Sequence, residues 1–162
     1  MNALGVEHGF ADAVDELIAR SEIELLLLRR GRAADAKDPA AIAREHVPGS
    51  RDAHGIFDGT IEEFVEHLRT HNYSDPRYGP QRHTVTNVVI EFSSPSAASV
   101  ESYHLAYHRM ELASGSFHVY IGGRYLDRCE RVTGRWLLAS RAVVYDWSRS
   151  RRAVDLTTER NA

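Results

Sequence analysis

The sequence predicts an α+β fold in which a curved antiparallel sheet packs against three N-terminal helices to form a cone-shaped barrel. The first observation is that apolar residues recur at helical spacing between Phe10 and Leu68. The second is that this periodicity changes after His83, where segments rich in β-branched and aromatic residues begin. The third is the Gly122-Gly123 pair inside one of those segments, which suits a bulge or a sharp bend. A sheet that curves this strongly against helices leaves a pocket at its mouth.

The first helices follow from spacing and capping. Phe10–Glu22 and Ile23–Asp38 both carry apolar residues at helical spacing, which predicts one long helix that can bend where the two stretches join. Asp38 can cap a helix and Pro39 suits a first helical turn, so this pair predicts a stop and a restart. Ala40–His46 is then a predicted short second helix.

The rest of the chain divides into turns, one more helix and four strands. Ser50–Asp58 is rich in turn-forming residues, and Asn72–Gln81 is a predicted loop. Between them, Thr60 followed by Glu63 is a capping-box signature, which predicts the start of the third helix. Turn residues separate the four predicted strands, which are Thr84–Phe92, Ala98–His108, Phe117–Arg131 and Arg135–Trp147.

The chain as a whole has the size of a single domain of 162 residues. We expect a folded core at about residues 10–147 and a solvated tail at 148–162, which includes the basic run Arg149–Arg152. The net charge of −3 gives no indication of a nucleic-acid or membrane partner. The single cysteine, Cys129, is interpreted as a small packed residue rather than a nucleophile. No apolar run is long enough to span a bilayer and the first residues are too acidic for a signal peptide, so we expect a cytoplasmic protein.

Asp35 and His83 are the candidate acid–base pair. Asp35 lies near the end of the long predicted helix, and His83 opens the first long strand. Our hypothesis is that Asp35 orients His83 as a proton-accepting base in a closed apolar pocket. The alternatives are a histidine satisfied by solvent and a solvated aspartate near a helix end. Asp38 competes with Asp35, but its position before Pro39 is better explained by capping.

Three stretches carry a resemblance to a known family. They are the helix ending in RAADAKD, the strand HTVTNVVIEF, and IGGRYLDRCERVTGRWLLASRAVVYDW, in which a GG-x-Y strand and a charged hairpin precede G-x-W. In these stretches the chain resembles the SnoaL-like group of the nuclear transport factor 2-like superfamily. That group includes scytalone dehydratase, hexachlorocyclohexane dehydrochlorinase and bile-acid 7α-dehydratase. The resemblance runs from about the first long helix to the last strand.

The resemblance implies an α+β cone with an Asp–His dyad at its floor, and Asp35 and His83 occupy the matching places. It also implies that Arg131, in the penultimate strand, assists the departure of the leaving group. Two positions depart from the family pattern. Arg30 stands where a basic or tyrosyl residue is expected, and a guanidinium is a poor proton donor. Ala106 stands where bile-acid dehydratases carry a carboxylate, which argues against a bile-acid-like substrate.

Further candidates lie on the predicted strands. His104 and His108 share one face of a strand with Ala106, so they either face the pocket and assist a leaving oxygen or lie on the outer surface. The candidate substrate-binding residues are Arg30, His104, His108, Tyr103 and Tyr125, although aromatic residues in strands are usually core. A metal site built from the histidines and Asp35 is a third possibility, but no compact motif supports it. We therefore predict neither a metal nor another cofactor.

These features together predict a cofactor-independent lyase. It would remove a proton from carbon in a small hydrophobic or aromatic ring substrate and eliminate water, or less commonly halide or a carbonyl fragment. The same parts could run an isomerisation. A rival hypothesis is a non-catalytic ligand-binding or assembly domain, in which Asp35 and His83 would not be in contact. Because an exposed sheet face usually needs covering, we also expect a homo-oligomer, either a dimer or a trimer.

Overall fold

The structure is a computed structural model, and it describes residues 9–153. In chain order the elements are α1 (Ala13–Asp35), α2 (Pro39–Arg44), β1 (His46–His54), β2 (Phe57–Thr60), α3 (Ile61–His67), β3 (Tyr78–Ser94), β4 (Ala97–Leu112), β5 (Gly115–Val132) and β6 (Arg135–Arg152). A π-helical turn, Leu68–Asn72, continues α3. The strands form one six-stranded sheet in the order β2-β1-β6-β5-β4-β3. Helices followed by a curved, unclosed sheet confirm the predicted α+β cone.

Side-chain caps define where the three helices begin. The Asp12 carboxylate accepts hydrogen bonds from two backbone N–H groups of the first turn of α1. Asp38 caps α2 and Pro39 is its first residue, as the sequence predicts. Thr60 and Glu63 form the predicted capping box of α3. The two predicted N-terminal stretches form one continuous helix, α1. It ends at Asp35, because Asp38 caps the start of α2.

The prediction of turns at Ser50–Asp58 is wrong, because β1 and β2 lie there. The two strands pair with each other around Gly55, which has a φ of 67°, and β1 also pairs with β6. The β1–β6 pair is parallel, whereas every other pair of neighbouring strands is antiparallel. Pairing with a distant strand therefore overrides the turn-like local composition.

Two strands are also longer than predicted. β3 begins at Tyr78, inside the predicted loop, because its first residues pair with the end of β4. β6 continues to Arg152, so residues 148–152 are paired with β5 rather than free. Their side chains are nevertheless exposed, as expected for a solvated run. Residues 154–162 of the predicted tail lie outside the described residues.

The bend predicted at Gly122-Gly123 is confirmed as a break in the register between β5 and β6. Gly122 lies opposite Trp147 and Gly123 lies opposite Tyr145, so Asp146 is the extra residue of a bulge. A Cβ atom at Gly123 would lie 2.0 Å from the carbonyl oxygen of Val144. Only glycine therefore lets β6 approach β5 this closely.

Two apolar clusters hold the helices on the sheet. The larger one joins α1 to the hairpin ends of β3–β6, and its members are Phe10, Ala19, Ile23, Leu26, Leu27, Ile90, Phe92, Ala98, Val100, Cys129, Trp136 and Leu138. The smaller one joins the end of α1 to α2 and α3, and its members are Ala33, Ala34, Ile42, Ile61, Phe64 and Leu68. Cys129 is buried, and burial raises the pKa of its thiol, which fits the packed role predicted for it.

Candidate active site

The inward face of the sheet changes from apolar to polar along the strands. On β4 the inward residues Ala98 and Val100 belong to the larger apolar cluster, whereas the next inward residues, Ser102 and His104, are polar. The other strands and α1 show the same change, so the buried polar residues lie beyond that cluster and include Arg30, His46, Asp52, Gln81, Ser102, His104, Asp127 and Arg141. The interior beyond the apolar cluster therefore combines these polar side chains with Ala106 and Tyr125, whereas we predicted an apolar pocket.

Asp35 and His83 meet within this polar interior. The Nδ1 atom of His83 donates a hydrogen bond to Oδ1 of Asp35 at 2.8 Å. Asp35 is the last residue of α1 and His83 lies on β3. α1 and β3 are also close together one helical turn before Asp35. A Cβ atom at Gly31 would lie only 3.8 Å from Cβ of His83. The contact fixes the ring tautomer and leaves Nε2 as the nitrogen available to a substrate.

The surroundings keep His83 neutral near neutral pH. Burial lowers its pKa, the hydrogen bond to Asp35 and the charge of that carboxylate oppose this effect, and the positive charge of Arg30 lowers the pKa further. The net result is a pKa below the ordinary histidine value of about 6.5. A neutral imidazole beside a carboxylate is the form that a general base requires.

His108 packs beside the dyad. Its ring lies edge-on to that of His83, with the ring centroids 5.6 Å apart. Burial and the nearby charge of His83 lower the pKa of His108 to about 4. His108 is therefore neutral at neutral pH, and it lies beside the base rather than on the outer surface of the sheet.

His104 also lies on the inner face, in a stack of aromatic and charged groups. Its ring stacks on Tyr125 with the centroids 4.4 Å apart, and the Arg141 guanidinium lies 4.0 Å from the centroid of the Tyr125 ring. Arg141 donates two hydrogen bonds to Asp127, at 2.8 and 2.7 Å. Burial is the main cause of a His104 pKa of about 4. Of the four predicted ring-bearing residues, His104, His108 and Tyr125 lie on the inner face.

Arg30 is a buried group in the wall of the interior. Its side chain is buried, and its Nε donates a hydrogen bond to Nε2 of His46 at 3.1 Å. Burial and the charge of Arg30 lower the pKa of His46 to about 2, so His46 stays a neutral acceptor. The guanidinium also lies 3.7 Å from a carboxylate oxygen of Asp52. Arg30 thus supplies positive charge to the interior from α1.

The structure does not bring Arg131 or Tyr103 to the dyad. Arg131 lies near the β5–β6 turn, half-exposed and 3.7 Å from Glu22. The β5 residue at the level of His83 is Ile121, and Arg131 lies roughly 30 Å along the strand from it, at about 3.3 Å per residue. Tyr103 is half-exposed on the outer face of the sheet. Arg141 on β6, rather than Arg131 on β5, has its guanidinium buried in the interior.

The sequence reasoning missed Asp52, His54, Asp127 and Arg141. Asp127 and Arg141 lie directly opposite each other on β5 and β6. Their opposite charges on either side of the predicted turn at Thr133-Gly134 were a readable signal of this pair. Asp52 and His54 alternate on one face of β1, but the prediction of a turn there concealed their strand spacing.

Two features of the described residues concern metal ions and membranes. Within residues 9–153, no group of three or more His, Cys, Asp or Glu residues is arranged so that it could hold a metal ion. Across the same residues, no helix is both long enough and apolar enough to cross a membrane.

Comparison with known families identifies the domain. Residues 15–142 match the family described as the SnoaL-like domain. The chain belongs to this family. The predicted resemblance to the SnoaL-like group of the nuclear transport factor 2-like superfamily is therefore confirmed. No curated protein sequence matches this SnoaL-like domain significantly.

Solved structures share the fold of this SnoaL-like domain at low sequence identity. A candidate scytalone dehydratase from Novosphingobium aromaticivorans DSM 12444 is 21% identical, with 87% of this chain and 93% of that one covered and a TM-score of 0.71. The hexachlorocyclohexane dehydrochlorinase LinA-type3 from Novosphingobium barchaimii LL02 is 19% identical, with coverages of 88% and 97% and a TM-score of 0.74. Rv3472, a protein of unknown function from Mycobacterium tuberculosis, is 21% identical, with coverages of 85% and 78% and a TM-score of 0.69. These likenesses support the fold.

Proposed function

We propose that this SnoaL-like domain is a cofactor-independent lyase. His83 removes a proton from carbon in a small ring substrate, and a group on the neighbouring carbon is eliminated. The 2.8 Å hydrogen bond between Asp35 and His83 is the observation that carries this proposal. Two of the structural neighbours are named as a candidate scytalone dehydratase and a hexachlorocyclohexane dehydrochlorinase, and both names denote eliminations, which supports the proposal further.

The pair divides the chemistry between its two side chains. Nε2 of His83 accepts the proton, and the imidazolium that forms keeps its Nδ1–H on the Asp35 carboxylate. Asp35 stabilises that positive charge and holds the ring in one tautomer. General-base catalysis of this kind is worth about 10²–10⁴ in rate.

The polar interior favours water over halide as the leaving group. His104 and His108 lie on the inner face near the dyad, where an imidazole can hydrogen-bond to an oxygen atom of the substrate. The Tyr125 ring offers a flat apolar surface in the same interior. A hydrophobic or aromatic ring that bears a hydroxyl group matches this combination. Arg131 and Tyr103 have no role in the proposed site.

The SnoaL-like domain is further proposed to form a homo-oligomer, a dimer or trimer, through the outer face of its sheet. Tyr103, Leu105, Leu126 and Trp147 are all exposed on β4–β6. Several of them line a groove of about 620 Å³ on that face, away from the dyad. A second copy of the chain would remove this apolar surface from water. Light scattering should give a mass of two or three times 18.2 kDa, and a mass of 18.2 kDa at micromolar concentration would contradict the oligomer.

The function is tested by screening ring alcohols and ring halides against the purified protein with mass spectrometry. Loss of one water mass identifies a dehydratase, and loss of one hydrogen-halide mass identifies a dehydrohalogenase. Conversion without a change in mass identifies an isomerase that returns the proton to another carbon. The His83→Ala protein is the control, and an equal conversion by both proteins would refute the proposal.

A further inference from the structure

We infer that Asp52 and His54 form a second acid–base pair, on β1 and so across the sheet from His83 on β3, and that His54 protonates the leaving group. This inference rests on the proposed elimination and adds the proton donor that it lacks. His83 then acts as the base and His54 as the acid. Asp52 is a positioning residue that holds the imidazole of His54.

The first support is the burial of Asp52. Its carboxylate is fully buried, yet neither oxygen has a hydrogen-bond partner within the described residues. The nearest groups that can carry a positive charge are the His54 ring, with Nδ1 at 3.5 Å from Oδ1, and the Arg30 guanidinium, at 3.7 Å from Oδ2. Burying a charge is costly unless an opposite charge compensates it. A protonated His54 would supply that compensation.

The ionisation of Asp52 agrees with this arrangement. Burial raises the pKa of Asp52, but the contact with His54 and the charges of Arg30 and Arg141 outweigh it, so the net pKa is lowered. Asp52 is therefore a carboxylate at neutral pH. A carboxylate in this position can accept the Nδ1–H of His54 and so hold the ring, as a positioning residue does.

The second support is the position of His54. Its ring stacks on Phe64 with the centroids 5.1 Å apart and lies edge-on to Tyr145 at 6.2 Å. Tyr145 in turn lies edge-on to His104 at 6.2 Å. Gly55, in a left-handed conformation with a φ of 67°, lets Tyr145 approach, because a Cβ atom there would lie 3.0 Å from the tyrosine ring. His54 is thus held by aromatic groups while its side chain stays 28% exposed.

The third support is that α1 contacts β1 and β3 through two different side chains. Arg30 lies against Asp52 on β1, and Asp35 lies against His83 on β3. Five residues of helix separate the two contacts by about 7.5 Å along the axis and about 140° around it. The two contacts therefore lie on different sides of the same helix, one toward β1 and the other toward β3.

His54 also affects the pKa values of the other interior histidines. Burial is the main cause of the lowered pKa values of His83, His104 and His108, and the positive charge of His54 contributes to all three. His54 therefore lies close enough to these three histidines to act on them electrostatically. With Nδ1 directed at Asp52, Nε2 is the nitrogen that a leaving group would meet.

The elimination then balances without a further reactant. His83 takes the proton from carbon, and the electron pair of that C–H bond forms the new C=C bond. The bond from the neighbouring carbon to its hydroxyl oxygen breaks, and Nε2–H of His54 gives its proton to that oxygen, which leaves as water. His83 ends protonated and His54 neutral, and exchange with water restores both.

The first test compares two leaving groups on one ring. The probes are 3-hydroxycyclohexanone and 3-chlorocyclohexanone, both of which give cyclohexenone, measured as the rate above the spontaneous background. Since hydroxide needs a proton to leave and chloride does not, His54→Gln should slow the hydroxyl probe by about 100-fold or more and the chloride probe by only a few-fold. His83→Gln should slow both alike. His71→Gln, at an exposed position on the π-helical turn, is the matched control and should change neither rate.

The outcomes separate the two proposals. Equal slowing of both probes by His54→Gln would overturn the acid role while leaving the base in place. Absence of elimination by the parent protein with either probe would contradict the proposed function and the acid role together.

A second measurement tests the pair without turnover. In protein labelled with ¹⁵N at histidine, Asp52→Asn should shift the imidazole nitrogen signals of His54 and leave those of His83 in place, and Asp35→Asn should do the reverse. His54 signals that Asp52→Asn does not move would overturn the pair.

Discussion

His83 differs from the other described histidines in its partner. Within residues 9–153 it alone has a carboxylate oxygen within hydrogen-bond distance, at 2.8 Å, whereas the nearest carboxylate oxygen to Nδ1 of His54 lies at 3.5 Å. The short contact suits a base, because it stabilises the charge that appears during the reaction. The longer contact to Asp52 suits a donor that must give its proton away.

The pH dependence of kcat/KM follows from the neutral state required of His83. Because burial and the charge of Arg30 lower the pKa of His83, activity on 3-chlorocyclohexanone, whose leaving group needs no proton, should stay level as the pH falls from 8 to about 6.5 and decline only below that. Asp35 opposes this shift, so Asp35→Asn should reduce the rate and also move the decline to lower pH. A pH–rate profile of both proteins checks the direction, and a decline that begins above pH 6.5 in the parent would contradict it.

At the scale of elements, the bulge between β5 and β6 depends on Gly123. A methyl group there would meet the Val144 carbonyl oxygen at 2.0 Å, so Gly123→Ala should lower the free energy of unfolding by about 3 kcal/mol. Gly31→Ala on α1 is the matched control. Its new methyl group would make only ordinary contacts at 3.8 Å, and alanine favours a helix by about 1 kcal/mol over glycine. Urea denaturation compares the two variants, and equal stabilities would contradict this view of the bulge.

The buried pair Asp127–Arg141 makes a second prediction about the sheet. Asp127→Asn leaves the guanidinium buried without a carboxylate, so it should lower the free energy of unfolding by about 3–5 kcal/mol. The double variant Asp127→Leu, Arg141→Met removes both charges and should be closer in stability to the parent protein. Denaturant titrations of the three proteins test this, and a double variant less stable than Asp127→Asn would contradict it.

Elements that the sequence predicts correctly have local causes. Asp38, Pro39, Thr60 and Glu63 act within one helical turn, and Gly122-Gly123 marks a bulge by its own lack of side chains. β1 has no such local cause, because its pairing with β6 joins residues far apart in the chain. Asp52 and His54, the proposed acid pair on β1, were missed for the same reason.

The candidate site shows the same division between local and long-range information. Family resemblance predicted Asp35 and His83, and the structure brings the two side chains into contact. Tyr103 and Arg131 were misplaced because strand periodicity shows which residues share a face but not which face is inward or how far along the sheet a residue lies. The polar lining was missed because it is assembled from several separate strands.

For the whole molecule, the polar interior makes stability depend on pH. The pKa of His46 is lowered to about 2, and those of His104 and His108 to about 4, chiefly by burial. The unfolded chain therefore binds more protons than the folded one below about pH 6.5, so stability is full above that pH and is lost as the pH falls toward 4. Each histidine contributes a slope of up to about 1.4 kcal/mol per pH unit. Urea denaturation at pH 7 and pH 5 measures the loss, and equal stabilities would contradict it.

The central claim is that the imidazole of His83 takes the proton from the substrate. The most direct measurement is the turnover of the His83→Ala protein on a substrate found in the screen, with circular dichroism as the check that the fold is retained. We predict an unchanged spectrum and a rate lower by about 10²–10⁴. A folded His83→Ala protein that converts the substrate as fast as the parent would contradict it.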